Sequence, residues 1–92
     1  MPKVTIYTTP YCPYCHAAKA LLGRKHVSFE EIDVSRDPAS REEMTRKAGG
    51  RYTVPQIWIG GTHVGGCDDL HALEAAGRLD RLLASEDVRS GA

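Results

Sequence analysis

Two cysteines three positions apart, Cys12 and Cys15, carry the clearest chemistry in this chain. They lie in Tyr11-Cys12-Pro13-Tyr14-Cys15-His16, after an extended run, Lys3-Val4-Thr5-Ile6-Tyr7, and before an apolar helical pattern from Ala17 to Leu22. On the first turn of a helix, side chains at i and i+3 are neighbours, roughly 5–6 Å apart at Cβ. A small adjustment then brings two sulfurs into disulfide range. A helix N-terminus also presents unpaired N–H groups and the positive end of its dipole, which favours thiolate over thiol. Cys12 is therefore expected to be the exposed nucleophile, and Cys15, one turn in and more buried, the partner that closes the ring. Thiol–disulfide exchange needs a thiolate attacker, an accessible disulfide and a good leaving thiol, and Cys12 can supply the first. The same spacing also occurs as half of a zinc site. Zinc normally takes four ligands; no second C-x-x-C is present, and only Cys67 and His63 could be recruited. A strand running into the pair and a helix behind it favour redox chemistry.

The elements that must position this pair follow from periodicity. Val4 and Ile6, with flanking threonines and a tyrosine, read as a first strand. Pro13 suits the first helical position, and Ala17, Ala18, Leu21 and Leu22 form a stripe that faces a sheet. Residues 23–26 end that helix, and 27–34 alternate as a second strand. A strand–helix–strand unit of this length implies a crossover and parallel pairing. Asp37-Pro38 starts a surface helix that runs to about Ala48, is anchored by Met44 and stops at Gly49-Gly50. A third strand is expected over 53–59, opened by a proline, with Gly60-Gly61 as a primed hairpin turn into a short antiparallel strand, Thr62-His63-Val64. Gly65-Gly66 leads into a helix with Leu70, Ala72, Leu73 and Ala76, closed by Gly77. Leu79, Leu82 and Leu83 make one or two more turns, and residues 85–92 read as a frayed tail. The order is βαβαββα, an α/β class. In such sheets chemistry sits beyond the carboxyl end of a central strand, where Tyr11 to Cys15 falls.

Composition narrows the rest. Ninety-two residues suit one domain, 1–92. The hydrophobic share is 41% and the charged share 26%, which is ordinary for a soluble globular protein. Twelve basic residues balance twelve acidic ones, so nothing points to nucleic acid or an anionic membrane. No apolar run reaches the roughly 18–20 residues of a membrane span, and residues 1–4 lack the apolar stretch of a signal peptide. Three cysteines, a close pair plus one, fit a reducing compartment, so a cytoplasmic location is expected.

Beyond the cysteine pair, Cys12-Pro13-Tyr14-Cys15 resembles the active-site motif of the dithiol glutaredoxins, of the small bacterial type. Thr53-Val54-Pro55 and Gly65-Gly66-Cys67-Asp68-Asp69 resemble that family's two glutathione-binding segments, in the same order and spacing, over about residues 3–84. The resemblance implies a thioredoxin-like fold with a four-stranded mixed sheet flanked by helices, and glutathione as co-substrate with no permanently bound cofactor. It implies partners in glutathione and in glutathionylated or disulfide-containing proteins, ribonucleotide reductase among them, and a monomer. It also implies Cys12 and Cys15 as catalytic residues. Glutathione would be held by Tyr14, Thr53, Val54, Pro55, Gly66, Cys67, Asp68 and Asp69, with a cis-proline at Pro55 facing the cysteines.

Each assignment has a plainer counterpart. Tyr14 is expected to be exposed, either against a bound peptide or as simple surface. The Val54 backbone would pair with the cysteinyl residue of glutathione, whereas a trans Pro55 would merely begin an edge strand. N–H groups of Cys67 and Asp68 would hold the γ-glutamyl carboxylate, and Asp68 or Asp69 its ammonium group; either acid could instead be an N-cap. Cys67 is expected to pack beside Gly66, with regulatory oxidation or dimerisation as the minor alternative. The four histidines default to surface or structural roles. One departure stands out: many glutaredoxins have a lysine three residues before the first cysteine, and here Thr9 occupies that place, leaving the glycyl carboxylate to Arg51 or Gln56, or partly solvated. Two alternatives of other kinds are a dimeric, glutathione-ligated iron–sulfur carrier, disfavoured by Pro13, and a thioredoxin-type reductant, in which the segment 65–69 has no role.

Overall fold

The computed structural model describes residues 2–84. The elements run β1 (Val4–Thr8), α1 (Pro13–Arg24), β2 (Phe29–Asp33), α2 (Pro38–Lys47), β3 (Gln56–Ile59), β4 (Thr62–Gly65) and α3 (Cys67–Ala75), followed by a helical segment over 79–84. The sheet order is β2-β1-β3-β4, with β1 parallel to β2 and antiparallel to β3, and β3 antiparallel to β4. This is the thioredoxin-like mixed sheet.

The period-2 alternation of the strands sorts side chains between two cores. Val4, Ile6, Ile57 and Ile59 face one side, where Ala18, Leu21 and Leu22 of α1 meet Cys67 and Leu70 of α3. Tyr7 and Trp58 face the other, covered by Met44 of α2 with Val34 and Ala48. Both layers rest on β1 and β3, so the two central strands are the rigid base of the molecule.

Three expectations change at their edges. The second strand is shorter than 27–34, because β1 offers five ladder positions, Val4↔Phe29 to Thr8↔Asp33; Val27 and Val34 are buried as core residues outside it. The third strand starts at Gln56 and not at Thr53, since its ladder with β1 ends at Tyr7↔Gln56 and Pro55 has no N–H to donate. The first helix extends through Gly23 to Arg24. In the hairpin, Gly60 has φ +60°, as a type II′ turn needs at its first central position. The tail expected over 85–92 lies outside the described residues.

Charged α2 is held in two ways. Asp37 caps it, Oδ1 accepting from Ser40 N at 3.1 Å, and Met44 is its buried anchor at 0% exposure. Its Arg41 donates to the Tyr52 carbonyl at 2.9 Å, so this helix also steadies the loop that leads into Thr53. Met44→Ala is expected to cost about 2–5 kcal/mol. Urea denaturation should show a lower midpoint with an unchanged slope.

Candidate active site

Strand direction brings three segments distant in sequence to one edge of the sheet. The C-terminal end of β1, the N-terminal end of β3 and the C-terminal end of β4 coincide, as the pairs Tyr7↔Gln56 and Ile57↔Gly65 show. The loop after β1 carries Cys12, the one before β3 carries Thr53 to Pro55, and the one after β4 carries Gly66 and Cys67. Their meeting follows from topology.

Cys12 is the N-cap of α1, with extended backbone (φ −99°, ψ 110°). Its Sγ accepts from the Cys15 backbone N–H at 3.2 Å and lies 3.7 Å from the Val54 carbonyl oxygen. Sulfur here takes the place of the hydroxyl or carboxylate oxygen that usually caps a helix. Cys12 is partly exposed and Cys15 is buried at 0% exposure, as their positions on the first turn predict. Burial, then the hydrogen bond with Cys12, pushes the Cys15 thiol from 9.0 up to about 12; a backbone hydrogen bond with Thr9 and the charge of Lys19 act the other way. Lys19 is itself paired with Glu31 of β2 at 2.9 Å, and Glu31 also accepts from Thr8 Oγ1 of β1 at 2.7 Å, which ties α1 to β2 and β1 beside the pair.

The Val54–Pro55 peptide is cis, as the resemblance implies. Across from it, Gly65 has φ +115°, and an added Cβ there would collide with the Asp69 carboxylate and meet Arg51 Nη1 at 2.8 Å. Gly65 is thus required both by its backbone and by the close approach of that ion pair. The α3 N-cap is Gly66, neither Asp68 nor Asp69. Asp69, at N3, reaches back so that its Oδ2 accepts from Gly66 N at 2.9 Å and from Arg51 Nη1 at 3.2 Å. The Gly66 hydrogen bond, then the guanidinium, holds this carboxyl below the usual range. Asp68 is exposed at the first turn of α3.

All eight residues assigned to binding from sequence, Tyr14, Thr53, Val54, Pro55, Gly66, Cys67, Asp68 and Asp69, line one cleft of about 280 Å³. Arg51 lines it too. Cys12 borders it through Val54, and Tyr14 is 62% exposed beside it. Gln56 is corrected: it is fully buried and both amide atoms are engaged, with Thr53 and His63, so it is not available to a ligand carboxylate. Sequence reasoning did not foresee that His63 joins Gln56, because the contact depends on the β3–β4 register. Cys67 is 8% exposed, and burial followed by the Asp68 charge pushes its thiol up. His71 Nδ1 donates to the Cys67 carbonyl at 2.9 Å. Among the described residues, no three His, Cys, Asp or Glu side chains gather as a metal-binding group, and no helix is long and apolar enough to cross a membrane.

A cysteine pair at the start of a helix, beyond a central strand and opposite a cis-proline, defines a thioredoxin-like thiol–disulfide oxidoreductase. Comparison with known proteins narrows this. The Glutaredoxin family model matches residues 4–64. A glutaredoxin of Pseudomonas aeruginosa is 65% identical over 85 residues, covering 92% of this chain and 100% of that protein. Glutaredoxin 3 of Escherichia coli is 58% identical over 83 residues, 90% of this chain and 99% of its own length. In structure, the chain is similar to a glutaredoxin from Brucella melitensis (TM-score 0.80, 60% identity, 90% of this chain and 89% of the other). It is also similar to a buckwheat glutaredoxin–glutathione complex (TM-score 0.83, 26% identity, 91% and 78%). The chain belongs to the glutaredoxin family.

The raised Cys15 thiol has a consequence for stability. The folded state holds that proton more tightly than the unfolded chain, so its contribution is full below about pH 9.0 and is lost as pH rises toward about 12. Reduced wild-type protein should therefore lose stability more steeply over this range than Cys15→Ala, in urea denaturation at stepped pH. Parallel slopes would remove the assignment of a buried, proton-retaining thiol.

Proposed function

We propose that the cleft binds the tripeptide glutathione and that the protein reduces glutathione mixed disulfides through Cys12 and protein disulfides through Cys12 with Cys15. The observation that carries this reading is the convergence, in one cleft, of a helix-capping sulfur, the Val54 backbone and the start of α3. The similarity to a glutaredoxin solved as a glutathione complex supports the choice of ligand.

Each part of glutathione has a chemical counterpart. The Val54 backbone pairs with the cysteinyl residue, a one-residue strand addition that sets its sulfur beside Cys12. The N–H groups of Cys67 and Asp68, at the positive end of α3, take the γ-glutamyl carboxylate. Asp68 takes the ammonium group, because Asp69 already serves Gly66 and Arg51. Arg51, at the other side of that ion pair, faces the glycyl carboxylate that Thr9 cannot hold, and Tyr14 covers the ligand from solvent.

In the first step the Cys12 thiolate attacks the glutathione sulfur of a protein–glutathione disulfide. A Cys12–glutathione disulfide forms, and the protein leaves as a thiolate that takes a proton from water. A second glutathione thiolate then attacks the glutathione sulfur of that adduct, restoring the Cys12 thiolate and releasing oxidised glutathione. For a protein disulfide, the Cys12 thiolate attacks one sulfur, breaking the partner's disulfide and expelling its other sulfur as a thiolate that takes a proton from water. Cys15 then gives its proton to water and attacks the Cys12 sulfur, closing the Cys12–Cys15 bond and expelling the partner's remaining thiolate. Reduction by two glutathiones completes that cycle. A single cytoplasmic domain over 1–92, acting as a monomer with no resident cofactor, belongs to the same proposal.

Reduction of a glutathionylated small disulfide, coupled to glutathione reductase, tests it. Cys12→Ser should lose about 10³-fold or more of this turnover, while Cys15→Ser stays within about threefold of wild type and loses reduction of protein disulfides. Turnover surviving in Cys12→Ser would overturn the choice of nucleophile.

A further inference from the structure

Gln56 is the one fully buried amide side chain at the edge of the cleft, and it sits between two groups that the proposed cycle does not yet use. Its Oε1 is 2.8 Å from His63 Nε2, and its Nε2 donates to Thr53 Oγ1 at 3.3 Å. A carboxamide oxygen only accepts, so the imidazole proton on that side is on Nε2. Burial, then the charge of Arg51, lowers the His63 pKa from its ordinary value, with Asp69 opposing, so the ring carries a single N–H at neutral pH.

The ring is also held in place. It stacks on Trp58 at 4.6 Å between centroids with an interplanar angle of 28°, and Lys47 Nζ lies 5.1 Å from the Trp58 centroid. The β3–β4 ladder explains how both contacts coexist. Trp58 pairs with His63 but Ile57 pairs with Gly65, which leaves Val64 as an extra, bulged residue. The Trp58↔His63 pairing puts His63 on the face shared by Trp58 and Gln56.

These hydrogen bonds have a direction. His63 Nε2–H points to Gln56 Oε1, and the Gln56 amide N–H points to Thr53 Oγ1. The Thr53 oxygen accepts from within, so its own O–H is free to donate outward, into the cleft that Thr53 lines with Arg51. We propose that His63 and Gln56 are positioning residues whose relay fixes the Thr53 hydroxyl as an outward donor, and that this donor, with Arg51, selects a ligand with a free carboxylate at that end. Without the His63 donor the buried amide is free to rotate by half a turn, Oε1 would face Thr53, and the hydroxyl would turn inward to satisfy it. The inference rests on the glutathione reading and adds to it a specificity device away from the sulfur chemistry.

The test uses a fluorescent peptide disulfide-linked either to glutathione or to the glycyl ethyl ester of glutathione, reduced by glutathione at fixed concentration. The wild type should show a KM about fivefold lower for the free carboxylate than for the ester. His63→Phe, which keeps a ring on Trp58, and Gln56→Met, which fills the same space without polar atoms, should each raise the free-carboxylate KM about two- to threefold, part of the way to the ester value because Arg51 remains, while kcat holds. Thr53→Val should do the same, and His63→Phe should add nothing to it in the double variant. Thermal melts identify a variant that fails to fold, and the other of the two then decides. Effects of Thr53→Val and His63→Phe that multiply, or a loss confined to kcat, would overturn the relay. A wild type that treats the ester and the free acid alike would overturn it too, while leaving the glutathione reading in place. Failure of glutathione to saturate turnover at all would remove that reading itself.

Discussion

The structure turns on a hydrogen bond in which the exposed cysteine of the pair is itself the helix cap. Cys15 N–H points at Cys12 Sγ from 3.2 Å, so the backbone of the buried cysteine holds the sulfur of the exposed one. A capping oxygen would satisfy the same donor, but it could not exchange disulfides. The arrangement also separates two like thiols by one helical turn. One borders the cleft; the other is buried on the inner side of α1, where burial keeps its proton in place. The difference between the two thiols is thus a difference of depth on one helix, since the residue type is the same.

That cap acts usefully only because the sheet delivers a backbone edge to it. Two antiparallel ladders bring the start of β3 and the end of β4 alongside the end of β1, and the Val54 carbonyl arrives within 3.7 Å of the sulfur. The second wall is fastened by a compact ionic knot, in which one oxygen of Asp69 accepts from Gly66 N and from Arg51. The knot needs the absence of a side chain at Gly65, whose Cβ would occupy the space of that carboxylate. One oxygen of Asp69 is taken by this clamp, and the neighbouring Asp68 is the more exposed acid of the cleft.

Much of this was readable from the chain itself. Strand and helix order, Pro13 at the first position of α1, the cap at Asp37, the Gly60-Gly61 turn and the depth order of Cys12 and Cys15 all rest on local rules of period, capping and turn chemistry, and the structure agrees with them. What local rules could not carry was pairing. The length of β2 and the start of β3 are set by the five positions of β1. The N-cap of α3 is Gly66, with Asp69 reaching back to it from N3; the Arg51 that shares this carboxylate comes from outside the helix. Gln56 looked like a polar residue facing a ligand, yet it points into the protein to meet His63, which the Trp58↔His63 pairing places on the same face of the sheet. The general pattern is that residues acting through their own helix turn were legible, whereas residues acting across strands were not.

Competitive alkylation tests the capped sulfur most directly. Reduced protein is treated with limiting iodoacetamide at neutral pH, and the label on each of the three cysteines is followed by peptide mass mapping. The account predicts that Cys12 is modified at least about tenfold faster than Cys15 or Cys67, the two buried thiols whose protons burial retains. Label appearing on Cys15 or Cys67 at a rate equal to that on Cys12 would contradict it.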